Sequence, residues 1–236
     1  MFIVNIARVK QGPAVELVPQ GKEKIEGSSR GDVEWTIAPI RPEYKIAGWK
    51  AVLLEVKKET AQRRLREDPE NPGHYAPVPV KKTTTEEVIV FVPQDDNDPV
   101  LLVGKTQTAQ EAIGALRLYK PHIELKRVRF DIQRINSQHS SDAWMLAFSK
   151  DGHVKAGVLY GNAIMKDPLV GGGSLQTFAN QAGIELPLPG EQTKVRVLRD
   201  GGVQLYHTDS YGLLQDKEAL TKTIYIAKNL LAFEDH

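Results

Sequence analysis

Apolar and polar positions alternate along much of this chain with a period of two, the pattern of strands that bury one face. Residues 1–9 and 14–18 are apolar runs, and within 32–40 Val33, Trp35 and Ile37 fall on one side. Gly21, Gly27 and Gly31 punctuate these runs. A stronger strand spans 49–56 and passes into the polar stretch 59–68. That stretch reads as the outgoing arm of a long hairpin, with a short exposed helix as the competing reading. The cluster Asp68-Pro69-Glu70-Asn71-Pro72-Gly73 closes the turn. Pro77 and Pro79 bar 76–80 from a central strand, because proline has no ladder donor. Strand character returns at 83–92.

The acidic segment Pro93-Gln94-Asp95-Asp96-Asn97-Asp98-Pro99 is the best boundary between two lobes, 1–93 and 100–236. Beyond it a short buried strand at 100–103 precedes a helix at 108–119, where Ala109, Ala112, Ile113, Leu116 and Tyr119 recur at helical spacing. Val128, Phe130 and Ile132 alternate in a strand expected over 126–134. Asp151-Gly152 and Asp200-Gly201-Gly202 mark two hairpins, 143–160 and 194–207. A short helix is expected at 175–181, and a final amphipathic helix at 216–233 with Leu220, Ile224, Ala227 and Leu231 on its apolar face. The fold class that follows is α+β: a mainly antiparallel sheet with hairpins and two to three helices, one of them C-terminal.

Composition removes several chemistries. With no Cys among 236 residues, disulfide frameworks, thiolate nucleophiles, zinc ribbons and iron–sulfur clusters are excluded. No apolar run has the length of a transmembrane helix, and no signal segment opens the chain, so a cytoplasmic setting without membrane contact is expected. The 31 Lys+Arg against 30 Asp+Glu conceal an uneven order. Residues 41–82 carry a balance of +4, 83–116 of −5 and 117–134 of +4.

Each short motif has a structural reading beside the chemical one. Gly104-Lys105-Thr106 follows a strand and opens a helix, but a phosphate loop needs glycine where Pro99 stands. A turn with Thr106 or Thr108 capping the helix is the alternative. Glu55-Val56-Lys57 at a strand end, with Glu43 12 residues upstream, resembles the acid-x-Lys half of a restriction-endonuclease-like metal site. That resemblance implies two carboxylates on a divalent metal such as magnesium and a lysine that activates water. A solvated strand face explains the same residues. Gly171-Gly172-Gly173-Ser174 could cradle an anion ahead of a helix or serve as a linker. His139-Ser140-Ser141-Asp142 and His207-Thr208-Asp209 place a histidine near a carboxylate, as ordinary turns also do.

The basic blocks carry the functional expectation. Arg63, Arg64 and Arg66 lie across the hairpin from Lys81 and Lys82, forming a basic arm. Lys126, Arg127, Arg129 and Arg134 form a second basic stretch on a sheet face. Such surfaces track a phosphate backbone, and Tyr75 and Tyr119 are the aromatics placed to stack on bases. The expected function is a non-enzymatic accessory protein, without a cofactor, that contacts nucleic acid or a protein partner. Two alternatives stand beside it: a magnesium-dependent nuclease using Glu43, Glu55 and Lys57, and a structural subunit that assembles with other subunits.

Overall fold

The computed structural model describes residues 2–26, 33–41, 47–149, 156–171, 178–188, 191–206 and 211–235. Within them one sheet contains β1 Phe2–Gln11, β2 Glu23–Lys24, β3 Val33–Ile40, β4 Trp49–Asp68, β5 Asn71–Pro93 and β6 Val100–Val103. It continues with β7 Glu124–Arg127, β8 Ala143–Ser149, β9 Ala156–Tyr160, β10 Ala179–Leu188, β11 Glu191–Leu198 and β12 Gly202–Leu205. The spatial order is β2-β3-β4-β5-β6-β1-β12-β11-β10-β8-β9, with β7 beside the far half of β1. The pairings are antiparallel. Five helices accompany it: α1 Thr106–Tyr119, α2 Ile132–Gln138, α3 Pro168–Gly171, α4 Gly212–Gln215 and α5 Lys217–Leu230.

Pleating assigns the core to both faces of this sheet. Val88, Val90 and Val92 of β5 join Val52, Leu54, Leu102 and the apolar face of α1 in one cluster. Ile89 and Phe91, pointing the other way, join Val4, Ile6, Leu101 and residues of α2 and α5 in the second. Central strands are thus apolar on both faces, which is why 88–92 and 100–103 read as continuous runs rather than alternations. The segment between β5 and β6 links neighbouring strands, with Phe91 opposite Leu101. Its acids are structural: Asp96 accepts from the Ala14 N–H at 2.7 Å, and Asp98 pairs with Lys228 at 2.6 Å.

Local chemistry sets the helix ends. Asp216 caps α5 by accepting from the N–H groups of Glu218 and Ala219 at 2.8 and 3.1 Å. The buried side of α5 is Ala219, Leu220, Thr223, Ile226, Ala227 and Leu230; Ile224 and Leu231 lie at its margin. The expected face was therefore rotated by about one residue. Asp131 likewise caps α2 through the Arg134 N–H at 3.0 Å. That cap corrects the strand expected over 126–134: the ladder with β1 ends at Arg127, Phe130 makes an isolated bridge with Glu234, and Ile132, Ile135 and Asn136 point inward from a helix. The Val128, Phe130, Ile132 alternation is shared by a strand and by a chain that turns into a helix after Phe130. Of the helix expected at 175–181, residues 175–177 lie outside the described residues, and 179–181 are corrected to the start of the strand Ala179–Leu188, held between β8 and β11.

The hairpin reading of 59–68 holds. β4 and β5 remain paired from Trp49↔Pro93 to Asp68↔Asn71. Pro77 and Pro79 are accommodated because they share one parity and this part of β5 has β4 as its partner, leaving a free edge that needs no donor.

Candidate nucleic-acid interface

The β4–β5 hairpin outruns the sheet. β3 pairs with β4 as far as Lys58, and β6 pairs with β5 from Ile89 onward. From Glu59 to Glu67 the two strands form a ribbon of roughly 30 Å, at about 3.4 Å per residue. Its tip is closed by its own polar groups. Asp68 accepts from the Glu70 N–H at 3.0 Å and the Asn71 amide at 3.2 Å. Glu67 accepts from the Gly73 N–H at 2.8 Å, and Gly73 sits at φ +90°, a conformation that glycine adopts without strain. The bonds from Glu70 and Asn71 hold the Asp68 carboxyl below its ordinary pKa.

Register separates the arm into two unlike faces. Lys58, Thr60, Gln62, Arg64 and Arg66 share one face with Thr84, Lys82, Val80, Val78 and Ala76. Glu59, Ala61, Arg63, Leu65 and Glu67 share the other with Thr83, Lys81, Pro79, Pro77 and Tyr75. On the first face Arg64, Arg66 and Lys82 engage no carboxylate among the described residues. On the second, Lys81 pairs with Glu59 at 2.9 Å, Arg63 and Glu67 cancel in net charge without touching, Glu67 being bonded to the Gly73 N–H, and Leu65 and Tyr75 are 70% and 63% exposed. One face is cationic; the other is neutral and partly apolar.

A charge cluster ties the arm to the body. Glu86 accepts from the Thr108 hydroxyl at 2.7 Å, Lys105 at 2.9 Å and Lys58 at 3.0 Å. These bonds, led by Thr108, push its pKa down to about 2. Lys58 also meets Glu111 at 2.7 Å. Burial opposes its charge, but the two carboxylates outweigh that and raise its pKa. In the Gly104-Lys105-Thr106 turn the Gly104 N–H donates to the Ile3 carbonyl at 3.2 Å and the Lys105 side chain is engaged by Glu86, while Thr108 donates to Glu86 instead of capping α1.

The second basic stretch lies elsewhere. Lys126 is exposed on β7 opposite Arg8 of β1. Arg127 is half-buried and meets Asp200 at 2.7 Å. Arg129 is exposed past the strand end, and Arg134 stands on α2 over the Phe233 ring at 5.8 Å. Val4 aligns with Val103 and Val103 with Ile89, so the arm leaves the sheet at the end where β1 begins. β7 pairs with β1 from Ala7 to Gln11, at the opposite end. The fold does not bring the two basic stretches together.

The remaining expected sites are dispersed. Glu55 and Lys57 share one face of β4, and Glu55 is engaged by Lys22 at 2.6 Å and by the Thr36 hydroxyl at 3.3 Å. The Lys22 bond leads the lowering of its pKa. Glu43 lies outside the described residues, as do Gly172, Gly173 and Ser174, and His207, Thr208 and Asp209; Gly171 ends α3. His139 ends α2 with its ring 5.8 Å from Phe233, and burial lowers its pKa. Its Asp142 neighbour belongs to a backbone turn, donating to the His139 carbonyl at 3.0 Å. Among the described residues no three His, Asp or Glu side chains gather to hold a metal ion, and no helix is long and apolar enough to cross a membrane.

Of the two aromatics singled out in sequence, Tyr75 is exposed at the arm tip. Tyr119 is not free: burial and the Glu23 carboxylate, 2.9 Å away, push its phenol up to about 12. Sequence reasoning missed Trp144 of β8, Tyr160 of β9 and Tyr206 just past β12, which the fold assembles from distant segments. No protein-family model matches the chain, and no curated protein matches it.

Proposed function

We propose that this protein is a non-enzymatic nucleic-acid-binding accessory factor whose β4–β5 arm is its principal contact element. One observation carries the reading: a projecting two-stranded ribbon with Arg64, Arg66 and Lys82 uncompensated on one face. A two-stranded ribbon fits the major groove of duplex DNA, about 12 Å wide, and unpaired Lys and Arg release counterions from phosphates on contact. A long isolated hairpin is marginal in water, so a bound polyanion would also supply the cover that the arm lacks.

The neutral face supports a second reading, an assembly subunit. Leu65, Tyr75, Pro77 and Pro79 present apolar surface of the kind protein interfaces use. The nuclease alternative gains no comparable support, since Glu55 is engaged by Lys22 and Thr36.

Fluorescence anisotropy with a labelled 20-base-pair duplex, alongside light scattering, tests the two readings. Binding at 50 mM salt that weakens steeply with added salt is the expected result. No duplex binding at low salt, together with a stable oligomer lost on Leu65→Ser and Tyr75→Ser, would replace the first reading with the second.

A further inference from the structure

The half of the sheet formed by β12, β11, β10, β8 and β9 is covered on one face by α2 and α5, whose apolar residues pack with Ala182, Ile184, Val195, Val197 and Leu205. Its other face carries no helix among the described residues. The register Tyr160↔Met145↔Gly183↔Arg196↔Gln204 runs across that face, where Met145, Gly183 and Gln204 are buried. Tyr160 is 69% exposed and Tyr206 47% exposed. The Trp144 ring lies between them: it is nearly parallel to Tyr160, with centroids 6.3 Å apart, and edge-on to Tyr206 at 6.2 Å.

The cluster is built rather than incidental. A Cβ at Gly183 would stand 2.6 Å from Met145 Cβ and 2.8 Å from Trp144 Cε2, so the missing side chain seats the indole. The Trp144 Nε1–H donates to the Ile184 carbonyl at 3.3 Å. Cations flank the rings. Lys194 is 5.9 Å above Trp144 and pairs with Glu185 at 3.4 Å. Arg196 donates to Gln181 and, at 3.3 Å, to Gln204.

The register also relates this face to the arm. Gln204 aligns with Ile3, Asn5 with Leu102, and Leu102 with Val90. The face bearing Gln204 is therefore the face bearing Val90 and Val88. Val88 aligns with Leu54, and the same parity continues outward to Lys58, Arg64 and Arg66. Tyr206 and Lys194 lie toward the end of the sheet from which the arm projects.

From this placement we infer a second binding surface: unpaired bases of a single-stranded nucleic acid stack on Trp144, Tyr160 and Tyr206, with Lys194 and Arg196 beside the backbone. The exposed Tyr160 and Tyr206 rings, with the half-buried Trp144 between them, supply sequence-tolerant stacking, which paired bases inside a duplex cannot use, and adjacent cations supply charge complementarity. The inference shares with the arm reading the premise of a nucleic-acid partner but stands on a different surface.

The test is anisotropy of a labelled 15-nucleotide oligo-dT and of the 20-base-pair duplex, with intrinsic tryptophan fluorescence recorded. Trp35 and Trp49 are buried, so quenching by oligo-dT reports on Trp144. A Tyr160→Ala, Tyr206→Ala variant leaves Trp144 seated and should weaken oligo-dT binding about tenfold or more while leaving duplex binding within twofold. An Arg64→Ala, Arg66→Ala, Lys82→Ala variant should weaken duplex binding and leave the oligo-dT quench in place. Oligo-dT binding that is absent at 50 mM salt, or unchanged in the tyrosine variant, would overturn the inference. Oligo-dT binding without duplex binding would sustain it and remove the arm reading.

Discussion

Glu86 is the joint between arm and body, and its replacement by glutamine has a calculable cost. The carboxylate receives Thr108, Lys105 and Lys58 within 3.0 Å, and its side chain is 24% exposed. Its pKa falls from 4.5 to about 2. At about 1.4 kcal/mol per pH unit this bounds the stabilisation at about 3 kcal/mol, and partial exposure reduces it to about 1–2 kcal/mol. Because the folded pKa lies below the unfolded value, the contribution is fully present above pH 4.5 and is lost as pH falls toward 2. Urea unfolding of wild type and Glu86→Gln at several pH values isolates this group from the other carboxylates. The variant should be less stable by about 1–2 kcal/mol at pH 7, with the difference closing between pH 4.5 and pH 2. A difference that is constant with pH, or smaller than about 0.3 kcal/mol at neutrality, would refute the reasoning.

Two further perturbations probe packing and caps. Gly183→Ala should destabilise by about 1–3 kcal/mol through overpacking against Met145 and Trp144, whereas Gly114→Ala on the exposed side of α1, with open space around it, should stabilise by up to about 1 kcal/mol; thermal unfolding of the pair shows whether the signs are opposite. Asp216→Ala removes the α5 cap and should cost about 1 kcal/mol, readable as earlier loss of helical circular dichroism on heating.

Much of the strand layout was legible because alternation and turn residues act locally. β1, β3, β6, β8, the β8–β9 pairing and the Asp200-Gly201-Gly202 hairpin fall where periodicity placed them, while the Asp151-Gly152 turn lies outside the described residues; the polar arm was readable from its turn cluster and its prolines. Two elements were lost to competing signals. Residues 126–134 alternate like a strand, but Asp131 offers a cap and the tertiary contacts of Ile132 and Ile135 decide for helix. Ala179–Leu188 mixes Gly183 and Pro187 into its run, and its character comes from partners on both sides. Site geometry was legible only where it is local. The cations of the arm lie on one strand pair whose register the turn fixes, opposite Thr60, Ala61, Ala76, Val78 and Pro79 rather than one another. The separation of the two basic stretches depends on which half of β1 receives β7, and the aromatic cluster on long-range pairing, neither of which leaves a mark in spacing.

The salt dependence of duplex binding tests the central claim most directly. Each phosphate contact contributes about 0.9 to the slope of log K against log salt concentration. If Arg64, Arg66 and Lys82 grip phosphates, their joint replacement by alanine should lower that slope by about 2–3, with the fold intact by circular dichroism. An unchanged slope in the triple variant would contradict the account.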